Sequence, residues 1–147
     1  MNICKAKWLI LPVAVVGAGV AVLAAMNPNI EARTSPENPD ARLSTRRYKS
    51  SLENVRASTL ETIPGLRKYG AHWQLSPTQV ENQVRAEVPV LGFTDDLIVT
   101  LSEENGATRL DVFSKSRFPG RSDLGENRRH ILQLLAALDE KFAQVEN

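Results

Sequence analysis

Nineteen consecutive residues near the N-terminus, Trp8–Met26, carry no charged side chain. In a helix such a run spans roughly 28 Å, close to the thickness of the hydrocarbon core of a bilayer. Lys5 and Lys7 precede the run and no acidic residue occurs before Glu31, which favours a cytoplasmic N-terminus and an exported remainder. Residues 1–26 are therefore predicted to be a signal anchor that crosses the membrane once.

A cleaved secretory signal peptide is the alternative interpretation of the same segment. Signal peptides also combine a basic start, an apolar centre and small residues at the end, and Ala21, Ala24 and Ala25 supply such residues here. The product would then be secreted or periplasmic. A buried core helix is disfavoured, because a core helix of this length usually has a polar face and this run has none.

Charge and residue counts exclude several classes of function. The chain has 18 Lys and Arg against 17 Asp and Glu, so its net charge of +1 argues against a nucleic-acid partner bound through bulk charge. The single cysteine, Cys4, excludes an internal disulfide framework and a cysteine-based zinc site. His72 and His130 are isolated, and no nucleophile, P-loop, dinucleotide or zinc-protease motif is present. We therefore expect neither a cofactor nor catalytic machinery of the protein's own.

The rest of the chain divides into a linker and one domain. Residues 27–42 contain three prolines and show no apolar periodicity, which is typical of a linker. Residues 43–147 are long enough for one modest core. A first helix is predicted over about 51–63, with Ser50 and Glu53 at capping-box spacing, and a last helix begins after Asp123, which has the same spacing to Glu126. Their apolar stripes are Leu52, Val55, Thr59, Leu60 and Ile63, and Ile131, Leu134, Leu135, Leu138 and Phe142.

Four strands are predicted between the two helices. A short one covers 72–75, and the alternation over 80–88 is the clearest period of two in the chain. Leu97, Val99 and Leu101 alternate in the third strand, and Asn105-Gly106 then supplies a hairpin turn before a strand over about 109–116. The predicted fold is α+β: a four-stranded antiparallel sheet covered by two helices, preceded by an N-terminal transmembrane or signal helix.

The loop from Ser116 to Arg129 is the most distinctive stretch of the domain. Two glycines permit unusual backbone angles, and the free N–H groups at the start of the last helix favour an anion. A structural turn, with its arginines paired to aspartates, is the competing interpretation. The candidate ligand-binding residues are Arg117, Arg121, Ser122, Asp123 and Asn127.

Two other sets of residues suggest further sites. A small metal-dependent hydrolase would use three carboxylates, those of Asp95, Asp96 and Asp123. Adjacent residues in a strand point to opposite faces, however, so pairing with arginines is favoured for Asp95 and Asp96. His130 is expected on the polar side of the last helix. Four aromatic residues are interpreted either as plain core residues or as the lining of an apolar cavity for a lipid-like ligand: Trp73, Phe93, Phe113 and Phe118.

Three phrases, FTDDLIVTL, TRLDVFSKSR and GRSDLGEN, resemble the bacterial and plastid family called domain of unknown function fourteen-ninety-nine. The resemblance covers about Tyr48 to Leu138. Many relatives carry a cysteine-containing segment ahead of the domain, whereas this chain has NPDARLSTRRYK there, so no role of those cysteines carries over. The resemblance supports the α+β fold and implies no activity.

The sequence as a whole predicts a membrane-anchored envelope protein without catalytic function. Its expected work is binding: a lipid-like molecule, a small anionic ligand or a partner membrane protein. A purely structural accessory subunit is the further alternative, and it would show an exposed apolar patch without a cavity.

Overall fold

The computed structural model of the protein describes residues 29–117 and 122–145. The predicted membrane segment, residues 1–26, lies outside these ranges, as do Phe118 and Arg121 of the predicted ligand loop. Within the described ranges, no helix is long and apolar enough to span a bilayer.

Eight strands and two α-helices make up the described part of the chain. In order they are β1 (Glu31–Arg33), β2 (Arg46–Tyr48), α1 (Leu52–Thr62), β3 (Arg67–Lys68), β4 (Ala71–His72), β5 (Gln74–Leu75), β6 (Gln83–Val90), β7 (Phe93–Glu104), β8 (Ala107–Ser116) and α2 (Glu126–Asp139). Short 3-10 turns occur at Ala41–Leu43 and Ile63–Gly65.

The predicted α+β class is confirmed, but the predicted number of strands is wrong. Six strands form one antiparallel sheet in the order β1-β8-β7-β6-β5, with β2 also paired to β8, while β3 and β4 form a separate hairpin. β1 and β2 share one edge of β8, and three-residue strands are too short to show an alternating pattern. β1 lies inside the segment predicted as a linker, so part of that segment belongs to the sheet.

The long strands bury the faces that their alternation predicts. Val84, Ala86 and Val88 of β6 are buried, as are Leu97, Val99 and Leu101 of β7 and Leu110 and Val112 of β8. Asn105 and Gly106 both have positive φ, 52° and 77°, as a type I′ hairpin turn requires. The three long strands and the hairpin are therefore confirmed. The predicted short strand over 72–75 is instead divided between β4 and β5, which belong to different sheets, and β6 begins at Gln83 and not near residue 80.

Both helices contact the sheet and each other over this apolar face. The stripe of α2 is buried as predicted at Ile131, Leu134, Leu135 and Leu138. The cap of α1 is Ser51, whose side chain accepts a hydrogen bond from the Asn54 N–H, and not the predicted Ser50. Adjacent serines offer the same cap chemistry, so the sequence alone did not distinguish them.

Candidate functional site

Arg117, the first candidate of the predicted ligand loop, forms ion pairs on the exposed face of the sheet. Its Nε lies 3.0 Å from Asp96 Oδ2, and its Nη2 lies 2.8 Å from Glu87 Oε1. These two carboxylates raise the pKa of the guanidinium above its ordinary value. Arginine pairing is thus confirmed for Asp96.

Asp123, Asn127 and Ser122 come together at the start of α2. Asp123 accepts hydrogen bonds from the backbone N–H of Gly125 at 2.7 Å and of Asn127 at 2.9 Å, and from the Asn127 side chain at 2.6 Å. Ser122 Oγ accepts from the Leu124 N–H at 3.1 Å. The Asp123 carboxylate therefore occupies two of the N–H groups at the start of α2 that a bound anion would need.

Asn127 also ties the N-terminal segment to the sheet. It is fully buried, donates to the carbonyl oxygen of Ile30 at 2.9 Å, and accepts from Ser114 Oγ at 2.6 Å. The neighbouring N–H of Asp123 donates to the carbonyl oxygen of Asn29 at 3.1 Å. The contacts of Asp123 and Asn127 thus join the N-terminal segment, β8 and α2.

The predicted capping box at the start of α2 is absent, and Gly125 is the cap residue, with a φ of 78°. The Glu126 carboxylate turns away to Lys68 Nζ, the Tyr69 hydroxyl and Arg129, with the first two contacts at 2.8 Å. Burial on its own would raise the pKa of Glu126, but these hydrogen bonds outweigh it and lower the pKa to about 2. Glu126 therefore links the β3–β4 hairpin to α2.

Asp95 and Asp96 lie on opposite faces of the sheet, as adjacent strand residues should. Asp95 is 1% exposed and faces α2, whereas Asp96 pairs with Arg117 on the outer face. The three-carboxylate hydrolase site with Asp123 is therefore not assembled. Among the described residues, no group of three or more His, Cys, Asp or Glu side chains is placed to hold a metal ion.

The partner of Asp95 is His130, which the sequence wrongly predicted on the polar side of the last helix. His130 is fully buried, and its Nε2 lies 3.0 Å from Asp95 Oδ2, while Ser116 Oγ donates to Asp95 Oδ1 at 2.8 Å. The predicted pairing of Asp95 with an arginine is thus wrong. A usable signal existed, because Asn127 and His130 extend the helical spacing of Ile131 and Leu134.

The three of the four aromatic residues that lie in the described ranges do not line one cavity. Trp73 is a core residue whose ring meets the His130 ring edge-on at 5.8 Å, and Phe113 lies beneath the Arg33 guanidinium on another part of the sheet. Phe93 is 48% exposed at the start of β7. Phe118 lies outside the described residues.

A small apolar pocket of about 220 Å³ opens beside Phe93. The β6–β7 turn and Tyr69 form its rim, the loop before α2 forms a wall, and Asp95 and Glu126 contribute carboxylates. The lining residues are Tyr69, Val90, Leu91, Phe93, Asp95, Ser116, Ser122, Asp123, Leu124 and Glu126. Ser122 and Asp123 are the predicted ligand residues that it includes.

Two lining residues have unusual backbone conformations. Tyr69 and Leu124 have φ angles of 47° and 55°, in the left-handed region that bulky residues avoid. The third such non-glycine residue in the described ranges is Asn105, in a hairpin turn that requires this conformation. Strained residues of this kind cluster at binding sites, where the surrounding structure holds them in place.

Comparison with known proteins identifies a family but no activity. No curated protein matches this chain significantly. Among solved structures, CalU16 from Micromonospora echinospora is 16% identical, with 64% of this chain and 72% of that chain covered at a TM-score of 0.43. TTHA0849 from Thermus thermophilus is 13% identical, with 76% and 95% covered at a TM-score of 0.34. Neither likeness bears on function at such scores. A family profile described as Protein of unknown function (DUF1499) matches residues 20–138, and this chain belongs to that family.

Proposed function

We propose that this protein is a membrane-anchored binding module of the cell envelope, and that its pocket beside Phe93 holds part of a small amphipathic molecule. The observation that carries the proposal is this pocket, in which apolar side chains surround an opening and two strained residues, Tyr69 and Leu124, form part of the wall. A strained backbone conformation costs free energy, and such conformations are found mostly at sites where they contribute to binding or catalysis.

The pocket's size and charge narrow the class of ligand. Ligand pockets commonly enclose about 300–1,000 Å³, so this smaller one suits an acyl-chain end or a small ring and not a whole lipid. Among the residues that the structure describes, the charged lining groups are the carboxylates of Asp95, Asp123 and Glu126. The nearby cations Lys68 and Arg129 already bind Glu126. An amphipathic molecule therefore fits better than the anionic ligand that the sequence also suggested.

The location rests on the uncharged run Trp8–Met26, which would form the single anchor and leave the domain on the exported side of the membrane. Carbonate extraction of membranes containing the full chain tests this placement. A chain that stays in the membrane pellet supports the anchor. Release of a shortened chain would instead support the cleaved signal peptide.

Native mass spectrometry tests the ligand. The full chain would be purified in mild detergent from the membrane fraction of its natural host, and a bound small molecule is expected. Leu91→Asp places a charge in the rim of the pocket and should abolish binding of the small molecule. The control is Val80→Asp, which changes an exposed apolar residue away from the pocket and should leave the molecule bound. A wild-type chain without ligand would contradict the proposal and favour a structural accessory subunit.

A further inference from the structure

Three exposed apolar side chains form a tip at one end of the sheet. Leu91 in the β6–β7 turn is 71% exposed, Tyr69 in the β3–β4 turn is 52% exposed, and Phe93 is 48% exposed. All three line the same pocket. We call Tyr69, Leu91 and Phe93 the apolar tip. Large apolar side chains gathered at one place on a surface usually mark a contact with another apolar partner.

Strand pairing places the start of the described chain at this same end of the sheet. Asp95, near the start of β7, pairs with Ser116 at the end of β8, and the Ser116 N–H donates to the carbonyl oxygen of Ile30 at 2.9 Å. The carbonyl oxygen of Asn29 accepts from Asp123, which lines the pocket bounded by the apolar tip. Asn29 is therefore held beside the tip by hydrogen bonds.

The uncharged run ends only three residues before this point. Three peptide units from Met26 to Asn29 reach about 10 Å at most. If the run crosses the bilayer, the end of the sheet that carries Asn29 and the apolar tip is held within about that distance of the membrane surface. The opposite end is much further away, because Ser102 lies nine residues along β7 from Phe93, about 30 Å at the rise of a strand.

We infer that the apolar tip inserts into the interface of the bilayer in which the chain is anchored, so that the pocket opens towards the lipids. The inference rests on the membrane-anchored part of the proposed function and deepens it, since the ligand would then be drawn from the membrane. Tyrosine suits this depth, because its ring is apolar and its hydroxyl is polar, and leucine and phenylalanine bury their side chains among the acyl chains.

Site-specific fluorescence quenching tests the insertion. Leu91→Cys and the control Ser102→Cys would each be made in a full chain carrying Cys4→Ser, and labelled with the same environment-sensitive fluorophore. Both positions are exposed, so labelling should leave the fold intact. The chains would be reconstituted into vesicles of phosphatidylcholine and phosphatidylglycerol, with or without spin-labelled acyl chains. Phe93→Cys gives a second probe of the tip.

The probes at Leu91 and Phe93 should lose most of their fluorescence in the spin-labelled vesicles, while the probe at Ser102 keeps its intensity. Equal intensities at all three positions, in chains that resist carbonate extraction, would overturn the insertion and leave the anchor standing. Extraction of the chain by carbonate would instead overturn the anchor. The two failures are thus read from separate measurements on the same vesicles.

Discussion

The backbone N–H of Asp123 donates a hydrogen bond of 3.1 Å to the carbonyl oxygen of Asn29, 94 positions earlier in the chain. This contact joins Asp123, whose side chain accepts hydrogen bonds from N–H groups at the start of α2, to the first described residue after the uncharged run. Together with the bond from Asn127 to Ile30, it makes the N-terminal segment part of the folded domain. The stability of the domain should therefore depend on residues that precede its main sheet.

A fragment beginning at residue 42 should be less stable than one beginning at residue 29. The shorter fragment lacks β1 and loses the hydrogen bond from the Val112 N–H to Thr34 Oγ1, so it exposes an edge of β8. Chemical denaturation followed by circular dichroism would measure the two free energies of unfolding. Equal values would show that β1 contributes nothing to stability.

Asp123→Ala should destabilise the domain by about 1–2 kcal/mol, because it removes acceptors for N–H groups at the start of α2. Asn127→Ala should cost about 2 kcal/mol or more, since it leaves the Ser114 hydroxyl without its acceptor and removes one of the two hydrogen bonds that the Ile30 carbonyl accepts. Arg117→Ala, which removes exposed ion pairs, should change stability by less than about 1 kcal/mol. Thermal and urea unfolding of the three variants would check this order.

Asp95→Ala should be among the most damaging single changes, costing about 3 kcal/mol, because it leaves buried His130 without its acceptor. Replacing both residues by leucine should recover part of that loss, since the His130 ring and the Asp95 carboxylate are then both gone from the core. A double-mutant cycle of unfolding free energies would measure the coupling. Additive effects would contradict a direct interaction between the two side chains.

Acid should weaken the domain through Glu126. The pKa of its carboxyl falls from an ordinary 4.5 to about 2 in the folded state. The resulting stabilisation, about 2 kcal/mol after allowance for solvent screening, is therefore complete above about pH 4.5 and disappears as the pH falls towards 2. Glu126→Gln should lack this part of the pH dependence.

Denaturant unfolding of both proteins between pH 6 and 2 would measure the difference, with pH values taken about one unit apart. Wild type must be compared with Glu126→Gln, because a second carboxyl titrates over the same pH range. Hydrogen bonds from Arg128 and Arg42 lower the pKa of Asp40 to about 2. Parallel curves for wild type and Glu126→Gln would show that the contacts of Glu126 with Lys68, Tyr69 and Arg129 add no pH-dependent stability.

Local patterns in the sequence were sufficient for the long elements. The alternation in β6, β7 and β8, the apolar stripe of α2 and the Asn105-Gly106 turn depend on the period of a strand or helix and on the backbone freedom of two turn residues. The α+β class and the family followed from the same residues. None of these needs knowledge of a distant part of the chain.

The packing of distant segments decided the rest. β1 and β2 are strands only because β8 offers them an edge, and three residues carry no readable period. His130 is buried because α2 turns it towards Asp95, 35 positions earlier, and Tyr69 reaches Glu126 across 57 positions. Such pairs are selected by the fit of whole elements to one another, which no local spacing encodes. The pocket and the apolar tip, built from separate turns and a loop, therefore became visible only in the folded chain.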